Sequence, residues 1–569
     1  MNHYALAYRE QQQLFMFDKA WIFGTLFKVG GLAALLAQFI VQFFWNPTLA
    51  LILTLLLLAL SGYLLWVAVR GSRKDWRIIP LCLLPACFIG ASLSDNSLHF
   101  DYLTAILLVE TGLVIFKRVH SYRVLWGVIL TIILYFTAGP AAILFALCVA
   151  SRYRKKGFLP IAWFLLLIAV AAACGVAAFF LAVIPTWAAA FTPVFFYDLD
   201  ATMPAIHWAP WIAILVVYLL TEAVIGTWAD STSPKRERTG KTILIGSLII
   251  FLASLFFSGK IARNFDRKSQ LTTYEYEYYT VNDRWDELIA ACRHHEWTPG
   301  TANYLNLALA MKGQLTEDLF KYDQRGVTSL TFMSQGGNVD VRLAHIMFAM
   351  GNMAAAQDIS FNILNSLTGY CPNMLKMNSQ IELMRGNYTV ADKYLSMLEK
   401  SLRYRKWAKD QRRFLWNDSA VEADPVLGTG RMDFPKEDGF AMFSNPLEEL
   451  MRVVEANPSD KKAMEYALSF LLLAKDMDGL VRFVDRYWGA PALQQLPEAA
   501  QEALIFYSEY SRNIGSIEPI SLEWCLYHGV TESTARRFQA FQQASLQNGG
   551  KSPSGYKGTF WNYLLYTEI

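Results

Sequence analysis

Residues 47–69 read PTLALILTLLLLALSGYLLWVAV, and residues 70–77 read RGSRKDWR. The first stretch is uncharged and leucine-rich, long enough to cross a bilayer as one helix, which takes about 20 apolar residues. The second carries Arg70, Arg73, Lys74 and Arg77 in eight residues. Cytoplasmic loops of membrane proteins are enriched in Lys and Arg. The pair therefore predicts a membrane helix and the side on which it ends.

The same reading extends outward. Apolar runs at 78–93, 102–116, 124–138, 140–150, 159–184, 209–226 and 242–258 join 47–69 as eight candidate spans. The short ones suit tilted, re-entrant or half-spans buried among neighbours. Basic clusters recur at every second loop: Lys117-Arg118 with Arg123, then Arg152 to Lys156, then Lys235-Arg236 with Arg238 and Lys241. The intervening loops, 95–101 and 185–210, bear carboxylates and almost no Lys or Arg. This alternation places Asp95, His99, Asp101, Asp198 and Asp200 outside, together with the C-terminal domain. Lys260, Arg263, Arg267 and Lys268 follow the last span on that outer side, against the pattern; long C-terminal domains translocate largely regardless of charge.

The N-terminal 46 residues are a polar or interfacial segment. Residues 1–19 have neither the basic-then-apolar order nor the cleavage site of a secretory signal. The run 29–44 is apolar but carries Gln38 and Gln42, four apart and on one helix face. It reads as an interfacial or re-entrant helix, with Met1 outside and an upstream span implied. In that topology Glu10 and Asp18 join the outer acidic group. Alternatively 21–44 is a ninth span and Met1 is cytoplasmic.

Composition agrees with a chain in two parts. Of 569 residues, 54% are hydrophobic and 17% charged, against about 25% charged in an average soluble domain. Mean hydropathy is +0.25. Residues 1–258 carry a net charge of +7 and residues 259–569 a net of −4. Neither part has the basic stripe that nucleic-acid binding needs.

From 272 onward the pattern is helical. Gly351-Asn352-Met353-Ala354-Ala355-Ala356 and Gly386-Asn387-Tyr388-Thr389-Val390-Ala391 lie 35 residues apart, close to the 34-residue tetratricopeptide period. Lys312-Gly313-Gln314-Leu315 is a looser match. The small residues are read as points of close approach between paired helices. Asn457-Pro458-Ser459-Asp460 opens a further helix, with Ser459 or Asp460 as its N-cap. The expected fold is all-α: a polytopic membrane domain over 47–258 with eight or nine spans, then a tetratricopeptide-like α-solenoid over 272–413 and 446–569. Residues 414–445, with Pro425, Gly428, Gly430, Pro435 and Gly439, are expected to be an irregular insertion. The cluster Phe560-Trp561-Asn562-Tyr563 is expected to dock on the domain or on lipid.

Signatures of familiar chemistry are missing. There is no H-E-x-x-H, no G-x-x-x-x-G-K-[ST], no G-x-G-x-x-G and no G-x-S-x-G. The seven cysteines show no C-x-x-C and read as buried thiols. His294-His295-Glu296 reads as a solvated helix end, because adjacent helical residues point in different directions. The best candidate site is Ser94 to Tyr102, which sets Asp95, His99 and Asp101 within seven residues at the outer surface. Such a group can accept a proton or hold a cation beside a lipid phosphate. Its structural counterpart is a polar turn with Asp101 as N-cap of the next span. Asp95, His99, Asp101 and Glu10 are thus the candidate catalytic residues. Asp198 and Asp200 are the candidate metal ligands. Glu110 and Glu222 lie within spans and are costly there unless partnered.

The run Tyr8 to Phe15, Gly30-Gly31-Leu32 leading to Gln42-Phe43-Phe44, Leu98 to Tyr102, Asn457 to Asp460 with Lys475-Asp476, and Thr559-Phe560-Trp561 resemble a family of bacterial multi-pass membrane proteins known only as a domain of unknown function. The resemblance spans nearly the whole chain and implies a bacterial cytoplasmic-membrane location but no activity. Members usually begin with a further span. A more distant, fold-level likeness is to membrane glycosyltransferases that use polyprenyl-phosphate sugars and append an outer helical-repeat domain. There a first-loop carboxylate serves as base or metal ligand, which implies Glu10 or Asp18 here. The paired-acid motif of that class is missing at these positions.

Three functions remain. A membrane scaffold would bind membrane lipid and, through its repeats, a protein or envelope partner. A lipid-linked sugar transferase would use the outer acids, with a divalent cation as cofactor. A transporter comes third, since no inverted repeat is visible.

Overall fold

A computed structural model describes residues 3–567 except 71–75, 152–157, 182–183, 185, 198–203, 230–234, 266–267, 333–340, 367–370, 436–444, 512–518 and 550. The chain is all-helical, with no strand among the described residues. It forms two compact units: Met1–Tyr274 with Lys400–Arg403, and Glu275–Glu399 with Tyr404–Ile569.

Among the described residues of the first unit, three helices are long and apolar enough to cross a membrane: Pro47–Val69, Arg123–Ser151 and Gly240–Arg263. Shorter apolar helices are Gly31–Val41, Trp76–Ser92, Leu165–Phe180 and Ile206–Thr221. Asn46 caps Pro47–Val69 by accepting from Thr48 N (3.0 Å) and Leu49 N (3.2 Å), with Pro47 in the first turn where its missing N–H costs nothing. Residues 21–44 are not one continuous helix. Lys19–Leu26 and Gly31–Val41 are separate helices, broken at Gly30 with φ +72°. Asp18 caps the first of them through Trp21 N at 3.0 Å.

Gly139 turns the chain between Arg123–Ala138 and Ala142–Ser151 with φ +68°. A Cβ there would lie 2.7 Å from the Phe196 ring, and one at Gly30 would lie 2.9 Å from it. Both glycines are therefore demanded twice, by left-handed backbone and by the ring packed against them. The unit's core includes Phe44, Phe100, Tyr102, Leu103, Phe145 and Tyr197, all fully buried.

In the second unit consecutive helices pair. Val341–Ala349 packs on Met353–Ser366, and Pro372–Arg385 packs on Tyr388–Glu399. The repeated Gly-Asn has a cause other than close approach. Gly351 and Gly386 end their helices at φ +77° and +78°. The next amides reach back, Asn352 N to Met347 O and Asn387 N to Glu382 O, each at 2.9 Å. This is the Schellman cap, which favours glycine because its αL residue carries no Cβ penalty. Gly313 makes the same cap, with Gln314 N to Leu309 O at 2.9 Å, and Lys475 makes it at φ +57° despite its side chain. Ala355, Ala356 and Ala391, which follow Gly351 and Gly386, are buried.

The segment 414–445 is not wholly irregular. It carries the short helices Asp418–Ala423 and Leu427–Met432, the first capped by Asn417 to Ala420 N at 3.2 Å. Asp460 caps Lys461–Ala474 through Lys462 N at 3.0 Å. The C-terminal helix Phe560–Tyr566 docks on its own unit. Trp561 donates to Glu502 O at 2.7 Å, Phe560 N donates to the Glu502 carboxylate at 2.7 Å, and Tyr563 OH donates to Leu473 O at 2.8 Å. None of the seven cysteines is in a disulfide.

Candidate functional site

The loop between Leu84–Ser92 and Asp101–Arg118 holds the residues singled out by sequence. Asp95 turns inward. Its Oδ1 accepts from Ser97 N (3.0 Å) and Ser97 Oγ (2.6 Å), an Asx turn that shapes the loop. Its Oδ2 lies 3.4 Å from His207 Nε2. Burial would raise the Asp95 carboxyl, but the bonds from His207 and Ser97 outweigh it and hold the group below its ordinary value. His207 is itself buried, and its carbonyl accepts from Tyr102 OH at 2.6 Å.

His99 enters through its backbone, donating N–H to Tyr197 O at 2.7 Å. Asp101 is the first residue of its helix rather than the N-cap, a position taken by Phe100. There a carboxylate complements the helix dipole. Its Oδ1 is buried and accepts no hydrogen bond.

Glu10 is buried on His3–Gln12. Its Oε2 accepts from Arg403 at 3.0 Å and from Gln11 at 2.5 Å. Arg403 belongs to the same compact unit although it lies 393 residues on. Among the described residues no three His, Cys, Asp or Glu come together as a metal site. Asp198 and Asp200 lie outside the described residues. Of the two carboxylates within apolar runs, Glu110 is buried and accepts from Ser61 Oγ at 2.8 Å. The Glu222 side chain is outside the described ones.

Arg9 organises this region, and nothing in the local sequence marks it. It is 1% exposed. Its guanidinium donates to Leu98 O (2.5 Å), Leu93 O (2.9 Å) and Asp95 O (2.8 Å), clamping both arms of the loop. Gln12, one turn further on, donates to Asn96 O at 3.0 Å. Burial pushes the Arg9 guanidinium down to about 10, opposed by the nearby charge of Asp95. It remains a cation at neutral pH. His207 was also missed. Both stand alone in sequence, one in a polar terminal stretch and one in an apolar run, and their partners are far away along the chain.

Chemically, then, the loop is a clamped polar knot with two buried carboxylate oxygens, Asp95 Oδ2 and Asp101 Oδ1, that accept no hydrogen bond. The model of the family of unknown function DUF6057 matches residues 1–567. No curated protein and no solved structure matches the chain.

Proposed function

The chain belongs to that family of unknown function, and from its own geometry we propose that it is a multi-pass membrane scaffold that presents its C-terminal helical unit to a protein or envelope partner. One observation carries this reading: two of the candidate acids, Glu10 and Asp95, are already engaged. Glu10 is bound by Arg403 and Gln11, and Asp95 accepts from Ser97 through Oδ1, with His207 3.4 Å from its Oδ2. The loop's backbone is clamped by Arg9. A carboxylate so engaged must break these bonds before it can act on a substrate.

The finer features belong to the same proposal. The loop charges support eight or nine spans in a bacterial cytoplasmic membrane, with the C-terminal unit outside. The helix pairs with repeated caps support a tetratricopeptide-like solenoid, whose stacked units offer an extended surface.

A second reading keeps Asp101 in view. Its unpartnered Oδ1 is the feature expected of a proton acceptor in a lipid-linked sugar transferase.

Photo-crosslinkers at Phe361 and Trp416, both exposed on the second unit, separate the two in cells. The scaffold predicts one defined protein captured equally by wild type and Asp101→Asn. Sugar transfer from a polyprenyl-phosphate donor, present in wild type and lost in Asp101→Asn, would replace the scaffold with the transferase.

A further inference from the structure

Pro47–Val69, Leu84–Ser92 and Lys235–Phe265 enclose a groove of about 340 Å³. Leu58, Ala86, Gly90, Leu255, Gly259 and Ala262 are among its walls. The groove is open: Leu255 is 52% exposed, and a Cβ added at Gly259 meets nothing within 4 Å. Apolar walls of this kind in a membrane unit face acyl chains or another apolar helix.

Charge at one end decides between them. On Lys235–Phe265 the lining residues Phe251, Leu255 and Gly259 are spaced by four and form one row of the helix surface. The next member of that row, one turn beyond the groove, is Arg263. Lys260 is exposed beside it, its ammonium 5.6 Å from the Phe256 ring centre. Neither cation has an ion-pair partner among the described residues, and both interrupt the loop-charge alternation of the chain. A second copy docked in parallel across this groove would bring like charges together. A lipid whose tail fills the groove brings a phosphate to them instead, at the depth where headgroups lie.

We propose that this groove is a binding site for one anionic lipid, its acyl chain along Ala86, Gly90 and Gly259 and its phosphate at Arg263 and Lys260. The site rests on the reading of the first unit as membrane-embedded, and it is independent of what the second unit binds.

Native mass spectrometry of the full chain in detergent, titrated with palmitoyl-oleoyl phosphatidylglycerol or phosphatidylcholine, tests it. One phosphatidylglycerol should be retained per chain, about thirtyfold tighter than phosphatidylcholine, as two interfacial cations would give. Lys260→Gln with Arg263→Gln should erase that preference. Gly259→Leu, which extends a side chain into open space, should weaken both lipids while leaving the melting temperature unchanged. Equal retention of the two lipids by wild type, or indifference to Gly259→Leu, would overturn the site. A dimer that Gly259→Leu dissociates would assign the groove to a second copy. A chain that stays soluble without detergent would overturn the membrane reading itself, and the site with it.

Discussion

Arg9 holds both arms of the loop together. Three loop carbonyls have it as their donor, and a buried carbonyl left without one costs about 1–3 kcal/mol. Arg9→Met should therefore lower unfolding stability by about 3 kcal/mol or more, read as a fall in melting temperature in detergent. Arg9→Lys should recover only part, because an ammonium lacks the planar fork that reaches Leu93, Leu98 and Asp95 together. In the second unit, Asp433 and Asp460 form a buried carboxyl pair, with Asn457 donating to Asp433 at 2.7 Å. Burial, with the neighbouring Asp460 charge adding to it, pushes Asp433 up to about 7, and burial raises Asp460 as well. An acid raised in the folded state keeps a proton that the unfolded chain has released. Its contribution is complete below the ordinary carboxyl range and is lost as pH rises through about 7. Hydrogen exchange of Leu427–Met432 and Lys461–Ala474, corrected for the intrinsic rate, should show more opening at pH 8 than at pH 5. Asp433→Asn should flatten that difference, and an unchanged pH dependence in the variant would remove the pair as its cause. At this scale sequence reading went as far as local spacing allows. Asp95, His99 and Asp101 stood out because they are close in sequence. Arg9 did not, because its acceptors lie 84 to 89 residues away.

Periodicity carries most of the element-level information, and it was legible where caps are written locally. Asn46-Pro47 announces its helix, and so does Asp460. The 35-residue recurrence was visible too, but its cause is backbone conformation rather than helix contact. That distinction gives a paired prediction. At Gly386 an added Cβ approaches only Arg431, at 3.8 Å, so Gly386→Ala should cost about 1 kcal/mol, the price of a left-handed Cβ. At Gly351 the Cβ would also lie 2.7 Å from Val453 and 3.0 Å from Asp433. Gly351→Ala should cost clearly more than Gly386→Ala, and equal losses in denaturant unfolding would disprove the assignment. The helices within 414–445 escaped the reading because each has only six residues, too short for a periodic signal. The C-terminal helix has only seven residues, yet its aromatic density marked it as a docking segment. Trp561 is fully buried, 5.3 Å from both Phe538 and Phe541 by ring centre. Trp561→Ala should destabilise the second unit by about 3–5 kcal/mol, and limited proteolysis should then trim the chain back from its C-terminus.

For the molecule as a whole, composition separated an apolar first part from an ordinary second part, and the all-helical class followed from period and length. Among the described residues three helices meet the length and hydropathy of a span; the sequence suggested eight or nine. Asp101–Arg118 shows why the two counts differ. It contains Asp101, Glu110, Lys117 and Arg118 in 18 residues, so composition alone argues against it, yet one oxygen of Glu110 accepts from Ser61 and Lys117 donates to the carbonyls of Val67 and Arg70. A helix can bring charges to bilayer depth when neighbouring helices partner them, and such partners are invisible to a hydropathy window. What the loops predict is therefore best tested by sidedness rather than by counting helices. Ser121 lies in a basic loop and Asn548 in the second unit, and both are exposed. In a background without native cysteines, an impermeant maleimide should label Asn548→Cys in intact spheroplasts and Ser121→Cys only after permeabilisation. Labelling of Ser121→Cys first would invert the topology and put the helical unit in the cytoplasm. Its partner would then have to be sought among cytosolic proteins, and Lys260 and Arg263 would lie on the side where the charge rule expects them.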